Sequence, residues 1–318
     1  MSAANLEALT QIWQRVLRRP SIGADESFFA LGGSQAQVIE LFNEIKRTMG
    51  RDLPPLIIFE APTIRSLANI FETGQVPTLA PVVTLRSGTH ALPIFMAHGI
   101  SQSLLDFIGL AESMDTDCQI NGIQSPGIDG ITAPLDCMDD LVEFHMKAIR
   151  SVEPHGPYFL VGYSFGGLVL LEVARRLRAS GQKIALLAML DSYPHPSYLP
   201  LREKIQTAVL SLRSRLRSAP PNLGPKPSGL FLKAIKNVGE ASRQAWDEYR
   251  PSYYPGEVKF IRAERISLFP SSAQAVWSKL TKKLGVITVP GDHTGMISIR
   301  YKELADALSK LVHEGTQA

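Results

Sequence analysis

One stretch limits the fold of this chain more than any other: YFLVGYSFGGLVLLEVARRLRASG, residues 158–181. It has the pattern of a buried apolar strand, then GYSFG around Ser164, then a helix that Gly181 ends. In this context G-x-S-x-G is a nucleophile elbow, whose glycines leave room for a strained serine between strand and helix. The sequence therefore predicts a Ser164 hydroxyl above a sheet, with the positive end of a helix dipole behind it. The alternative is a glycine-rich turn with an incidental serine, and the flanking strand and helix weigh against it.

Apolar runs that alternate with helical stretches surround this elbow. The strand-like runs are VVTLR, LPIFMAHG, CQINGIQ, YFLVGYS, IALLAMLD, VKFIRAE and GVITVPGDH. Helical stretches such as Leu135 to Val152 and Gly167 to Ala179 lie among them. This alternation predicts an α/β domain with a mainly parallel sheet and helices on both faces.

The N-terminal part of the chain has a different pattern. Residues 5–73 keep a helical spacing of apolar side chains, as in Leu6, Leu9, Ile12 and Val16, which predicts a small helical bundle. The segment GQVPTLAP, residues 74–81, has one glycine, two prolines and no periodicity, as a linker does. We therefore expect a helical domain over residues 1–73, a linker over 74–81 and the α/β domain over 82–318.

A serine nucleophile needs a base, and the base needs an acid that orients it. In this architecture they follow in the order Ser, Asp, His, and the sequence places Asp191 and His293 after two strand-like runs. Ser164, Asp191 and His293 are therefore the candidate catalytic residues. Asp292 is the rival acid, although a residue next to His293 in the chain is poorly placed to reach its ring. His195, in YPHP, is predicted to be a loop residue.

An acyl-transfer site also needs donors for an oxyanion, usually two backbone N–H groups. One comes from the residue after the nucleophile and the other from the loop after an early strand, which predicts Phe165 and Ile100. His98 lies beside that loop, and we expect it to hold the loop rather than to transfer protons.

An insertion separates the predicted strand of Asp191 from the later strands. Over about residues 197–244 the sequence predicts a basic amphipathic helix at 202–217, a flexible break at 218–229 and a second helix at 230–246. A helical lid at this place covers the acyl group. By excluding water it decides whether an acyl-enzyme is hydrolysed or captured by another nucleophile.

The chain as a whole resembles a carrier (thiolation) domain followed by a type I thioesterase domain. This pair is found at the C-terminal end of nonribosomal peptide synthetases and related adenylation-thiolation-thioesterase synthetases. The carrier flanks are similar to IWQRVLRRPSIGADESFFALGG and PPLIIFEAPTIRSLANIF, and the thioesterase motifs are similar to GYSFGG, LDSY and GDHTGM. The segment WDEYRPSYYPGEVKFIRA resembles the return from the lid. One departure is the loop His98-Gly99-Ile100-Ser101, where many relatives have His-Pro-x-Gly-Gly.

The resemblance implies a small four-helix carrier domain and an α/β-hydrolase domain with a helical lid insertion. It also implies release of a carrier-bound acyl or peptidyl thioester through a serine acyl-enzyme, by hydrolysis, cyclisation or condensation, in secondary-metabolite biosynthesis. Three alternatives stay open. They are carbon-carbon bond formation between aryl-pyruvate units, hydrolysis of small esters by a free-standing enzyme, and an inactive docking module.

The cofactor that the resemblance implies is 4'-phosphopantetheine, joined to a serine at the position of Gln35. A phosphodiester requires a hydroxyl, which glutamine lacks. Three interpretations remain: a substitution that keeps the carrier unmodified, a carrier that has lost its arm, or attachment at Ser34 instead. Ser34 also suits the N-cap of the following helix.

Expected partners are the carrier-bound substrate, an upstream adenylation domain or further synthetase modules, and a phosphopantetheinyl transferase where a serine is available. The formal charge of +3 is too small to predict nucleic-acid binding. No apolar run reaches the roughly 18 residues of a membrane span, and the N-terminus lacks a signal-peptide pattern. Two cysteines in 318 residues fit a reducing cytoplasm, and no metal site is expected.

Overall fold

The computed structural model describes residues 3–100, 102–199, 201, 204–205, 229–265 and 272–317. These residues form two compact units. The first holds the chain up to Pro81, the segment Pro126–Ala133 and the described residues 229–237, which are part of the insertion; the second holds the rest. The predicted helix at 202–217 and the flexible break lie, for the most part, outside the described residues.

The N-terminal helices form around apolar faces that pack on one another. They are α1 (Ala3–Leu17), α2 (Gln35–Met49), a 3-10 helix (Pro55–Phe59) and α3 (Ile64–Thr73). The prediction of a small helical carrier-like domain is confirmed, and one of its four helices is a single 3-10 segment. Pro54 is the N-cap of this segment and Pro55 its first residue, a position where the N–H that proline lacks would have no intrahelical partner.

The loop before α2 packs on buried aromatic side chains of the N-terminal domain. The ring of Phe28 is fully buried and meets the ring of Trp13 edge-on at 5.1 Å. A Cβ on Gly33 would lie 2.2 Å from the Phe28 ring, so only glycine fits there. The backbone of the LGG segment therefore rests directly on the core, which fixes where α2 begins.

The second unit contains a seven-stranded sheet in the order β1-β3-β2-β4-β5-β6-β7. All neighbours are parallel except β1, which pairs with β3 in the antiparallel direction. The strands are β1 (Val82–Arg86), β2 (His90–Ala97), β3 (Cys118–Ile123), β4 (Tyr158–Tyr163), β5 (Ile184–Leu190), β6 (Tyr254–Ala263) and β7 (Thr281–Val289). The predicted mainly parallel sheet is confirmed.

Helices cover both faces of this sheet. The helical segments of the second unit are a 3-10 helix (Leu104–Phe107), α4 (Ile108–Ser113), α5 (Met138–Val152), α6 (Phe165–Ala179), a 3-10 helix (Pro196–Tyr198), the part of α7 (Gly229–Glu248) from Val238 onward, α8 (Ala273–Trp277), α9 (Gly295–Ser298) and α10 (Tyr301–Thr316). Leu160 packs in one core cluster with α5 and α6, whereas Phe159 lies beside Gly315 of α10. Because neighbouring strand residues point to opposite faces, both faces are buried, which explains the continuous apolar runs.

This topology brings the candidate catalytic residues to one edge. Ser164 directly follows β4, Asp191 directly follows β5, and His293 comes four residues after β7. The carboxyl ends of parallel strands lie at the same edge of an open α/β sheet, where ligands bind. None of the described helices combines the length and apolar character that crossing a bilayer requires.

Candidate active site

Ser164 occupies a strained turn between β4 and α6. Its φ is 53° and its ψ is −120°, a region that non-glycine residues rarely adopt. The turn needs glycine on either side, since a Cβ on Gly162 would lie 2.4 Å from Gly167 Cα and a Cβ on Gly166 would lie 2.4 Å from the carbonyl oxygen of Ala97. Strain of this kind persists where the surroundings enforce it, as at functional sites. The turn lifts the Ser164 hydroxyl above the end of the sheet.

The ring of His293 connects Ser164 to Asp191. Its Nε2 lies 3.1 Å from Ser164 Oγ, and its Nδ1 lies 2.8 Å from Asp191 Oδ2. The side chains of His293 and Asp191 are both largely buried, which strengthens the electrostatic interaction between these two groups. The order hydroxyl, imidazole, carboxylate is the one that removes a proton from a serine as it attacks a carbonyl carbon.

The β6 strand fixes Asp191. Its backbone N–H donates to the carbonyl oxygen of Ile261 at 2.8 Å, and its Oδ1 accepts from the N–H of Ala263 at 3.4 Å. With a φ of 45°, Asp191 adopts the left-handed conformation that aspartate tolerates better than most residues. One carboxylate oxygen is thus occupied by the backbone, and the other faces His293.

Asp292, the rival acid, is engaged elsewhere. Its Oδ1 accepts the backbone N–H of Gly295 at 2.8 Å and so supports the turn into α9. The Asp292 side chain therefore stabilises this turn, as aspartate side chains commonly do by accepting a nearby backbone N–H.

Tyr163 is part of the site, although the sequence reasoning did not single it out. Its hydroxyl donates to the backbone carbonyl of His293 at 2.6 Å, and its ring stacks on the His293 ring with centroids 5.0 Å apart. Burial raises the pKa of the Tyr163 hydroxyl far above its usual value, so the group stays neutral and remains a donor. The residue before the serine of the G-x-S-x-G motif therefore clamps the loop that bears His293.

We expect Tyr163→Phe to lower both stability and turnover. The substitution leaves a buried carbonyl without its donor, which costs about 1–3 kcal/mol in the free energy of unfolding. The stacked ring stays, so the His293 loop is loosened rather than displaced. Urea unfolding and steady-state kinetics on a small acyl thioester test this. Tyr158→Phe is the matched control, because its hydroxyl also donates to a backbone carbonyl, that of Pro154, at the opposite end of the same strand. Equal losses of turnover in the two variants would contradict the clamp.

The two predicted oxyanion donors lie in the segments next to the nucleophile. Phe165 is the first residue of α6, where backbone N–H groups have no partner within their own helix. Ile100 follows Gly99, whose α-carbon passes so near Ser164 that an added Cβ would lie 2.9 Å from Ser164 Cβ. Both N–H groups therefore belong to backbone that borders the Ser164 side chain.

His195 is a loop residue, as the sequence predicted. Its Nδ1 lies 2.9 Å from Ser197 Oγ, and its ring contacts Trp246 of α7 at a centroid distance of 5.6 Å. Trp246 also donates its ring N–H to the carbonyl oxygen of Tyr193 at 3.3 Å. The C-terminal part of α7 thus packs on the loop that follows Asp191.

In a carrier domain the phosphopantetheine arm would be attached to a serine at position 35. Gln35 is the first residue of α2 and carries a carboxamide, which cannot form the phosphodiester. Ser34 is the N-cap: its hydroxyl donates to Gln37 Oε1 at 2.9 Å and accepts the Gln37 N–H at 3.4 Å. Gln37 Nε2 in turn donates to the carbonyl oxygen of Val16 at 3.0 Å. Gln35 therefore supplies no hydroxyl for an attached arm, and the exposed hydroxyl of Ser34 takes part in the capping box that begins α2.

Within the described ranges, no three His, Cys, Asp or Glu side chains are grouped closely enough to hold a metal ion. Cys118 and Cys137 are free thiols.

Two domain families match this chain. Residues 92–312 match the thioesterase domain, and residues 7–71 match the phosphopantetheine attachment site. Among curated proteins, a dimodular nonribosomal peptide synthase of Bacillus subtilis (strain 168) is 34% identical over 81% of this chain and 12% of its own length. Enterobactin synthase component F of Escherichia coli (strain K12) is 30% identical over 86% of this chain and 22% of its own length. The chain thus spans less than a quarter of the length of either relative.

One solved structure aligns with almost the whole of this chain. A four-domain nonribosomal peptide synthetase bound to AMP and glycine aligns with 98% of this chain and 26% of its own, at a TM-score of 0.64 and 21% sequence identity. At this identity the likeness concerns the fold. The family matches and the sheet with its serine elbow lead to one assignment: the chain belongs to the thioesterase family and carries an N-terminal domain of the phosphopantetheine-attachment family.

Proposed function

We propose that this chain releases an acyl or peptidyl group from a thioester through an acyl-enzyme on Ser164. The observation that carries the proposal is the pair of contacts at His293, 3.1 Å to Ser164 Oγ and 2.8 Å to Asp191 Oδ2. The chain belongs to the thioesterase family. A serine with an adjacent imidazole base and an orienting carboxylate can form a covalent acyl intermediate.

The geometry supports the following sequence of steps. Ser164 Oγ attacks the thioester carbonyl carbon while His293 Nε2 takes the hydroxyl proton. The resulting oxyanion lies between the N–H groups of Phe165 and Ile100, the C–S bond breaks, and the departing sulfur receives the proton from His293 Nε2. Asp191 keeps the other proton on Nδ1, so that Nε2 is free to accept. Water or another nucleophile then attacks the ester and restores the Ser164 hydroxyl.

The domain organisation belongs to the same proposal. We assign residues 1–73 to the carrier domain, 74–81 to the linker and 82–318 to the catalytic domain, with a lid over about 197–244. Helix α7 (Gly229–Glu248) supplies the later part of that lid. Synthetase modules upstream of the carrier are the proposed partners, since both relatives are much longer than this chain.

Intact-protein mass spectrometry tests the proposed function. The chain is mixed with an acyl N-acetylcysteamine thioester, quenched within the first turnover and weighed. We expect a gain of one acyl group, located on the peptide that contains Ser164, followed by its loss. A fluorophosphonate probe should label the same serine and block the gain. A well-folded chain that neither acquires the acyl group nor reacts with the probe would favour the inactive docking module.

The carrier domain should not accept a phosphopantetheine arm. Position 35 has no hydroxyl and the Ser34 hydroxyl is engaged in the α2 cap, so the thioester would reach Ser164 from another carrier or as a soluble thioester.

Coenzyme A with a promiscuous phosphopantetheinyl transferase should therefore add no mass to the unchanged chain. Gln35→Ser should gain about 340 Da, the mass of one arm on one serine. Ser34→Ala is the control. Uptake by the unchanged chain that disappears in Ser34→Ala would show attachment at Ser34 and overturn the prediction.

A further inference from the structure

The loop after β2 brings one peptide unit close to the nucleophile. Gly99 lies against Ser164, and a Cβ at this position would also approach Gln102 Oε1 to 2.7 Å. Glycine is therefore required, and it makes the adjoining peptide units free to rotate, because glycine populates backbone conformations that other residues avoid. Something else must fix the direction of the Gly99–Ile100 peptide.

Two side chains hold the polar groups of Gly99. Its N–H donates to Gln102 Oε1 at 3.2 Å, and its carbonyl oxygen lies 3.0 Å from His98 Nδ1. A carbonyl oxygen can only accept, so Nδ1 of His98 carries the proton. Nε2, 3.0 Å from Ser125 Oγ, then accepts from the hydroxyl of Ser125. The two contacts together select one tautomer of His98.

His98 is held in its neutral form. It is only 7% exposed, and burial lowers the pKa of its ring, against a smaller opposing effect of the Gly99 carbonyl and Asp106. The nearby His145 has its own contact, from Nδ1 to the carbonyl oxygen of Leu141 at 2.7 Å. The ring nitrogens of His98 are both engaged, Nδ1 by the Gly99 carbonyl and Nε2 by the Ser125 hydroxyl, so neither is left for proton transfer to a substrate.

The direction of the next N–H group follows from the planarity of the peptide. In a trans peptide the carbonyl oxygen and the following N–H point to opposite sides. With the Gly99 carbonyl turned toward His98, the N–H of Ile100 points away from it. We propose that His98 is a positioning residue, which locks the Gly99–Ile100 peptide so that the Ile100 N–H is ready to receive the oxyanion at Ser164. This inference rests on the proposed function.

A matched pair of amides tests the role of each ring nitrogen. The amide nitrogen of His98→Asn comes close to the position of Nδ1 and can still donate to Gly99. The longer side chain of His98→Gln reaches the Nε2 position beside Ser125 instead. We expect His98→Asn to keep most of its turnover and His98→Gln to lose about tenfold to a hundredfold in kcat, somewhat less than the removal of an oxyanion donor. KM should change little in either variant.

Affinity for an alkylboronic acid distinguishes positioning from general support. The boron atom forms a tetrahedral adduct with Ser164 Oγ and places an oxygen where the oxyanion would be. His98→Gln should weaken this adduct by the same factor as kcat/KM, with an unchanged urea midpoint relative to His98→Asn. Equal turnover of the two variants, or a loss in His98→Gln that leaves boronate affinity intact, would overturn the inference. An unchanged chain that binds no boronate and forms no acyl-enzyme would instead refute the proposed function.

Discussion

Ser164→Ala is expected to lower turnover of an acyl thioester by at least about a thousandfold, the scale on which a nucleophile contributes when it works as a unit with its base. The alanine has no oxygen for the acyl group, so no acyl-enzyme can form. Residual turnover comes only from water attacking a substrate bound beside the oxyanion donors.

The same substitution should leave folding nearly unchanged. Ser164 is the N-cap residue of α6, but its side chain makes no capping hydrogen bond. Removing the hydroxyl therefore costs the helix no N-cap contact. Ser180→Ala is the matched control at the other end of α6, where the hydroxyl donates to the carbonyl oxygen of Leu177. Single-turnover kinetics and urea unfolding measure both variants. Substantial activity in a folded Ser164→Ala protein would remove Ser164 from the mechanism.

The sheet was predictable because burial leaves a signature in each strand. Strands covered on both faces show continuous apolar runs, and the run before Ser164 is completely buried. The signature fades at the edge of the sheet. β7 begins at Thr281, before the apolar run that predicted it, and its burial pattern is mixed. The antiparallel direction of β1 could not be predicted either, because the apolar pattern of one strand does not indicate which strand it pairs with or in which direction.

The candidate site was predictable only in part. Ser164, Asp191 and His293 follow strand ends, so their order along the chain was enough to group them. The contact of Tyr163 with His293 joins residues 130 positions apart, and nothing in the sequence says which group a buried tyrosine will reach. His98 is a similar case, because its tautomer depends on Ser125, which comes from a different strand end.

Asp191→Asn is expected to lower the acylation rate by about 10³- to 10⁴-fold while substrate binding stays largely intact. The reason lies in the two contacts of the Asp191 carboxylate. Oδ1 accepts the Ala263 N–H, so in the variant the single amide oxygen is retained there and the amide nitrogen turns toward His293. That nitrogen donates to Nδ1, which forces the ring proton onto Nε2. A protonated Nε2 in a neutral ring cannot accept from Ser164 Oγ.

Asp292→Asn makes the same chemical change one residue from His293 and serves as the comparison. Its amide oxygen can still accept the Gly295 N–H, so the turn into α9 is preserved and the acylation rate should change only a few-fold. Stopped-flow acylation with a chromogenic thioester measures both rates, and the substrate dissociation constant from the same traces separates binding from chemistry. A larger loss in Asp292→Asn than in Asp191→Asn would transfer the orienting role to Asp292. The 2.8 Å contact between Asp191 and His293 would then be a hydrogen bond that supports the fold and not the proton transfer.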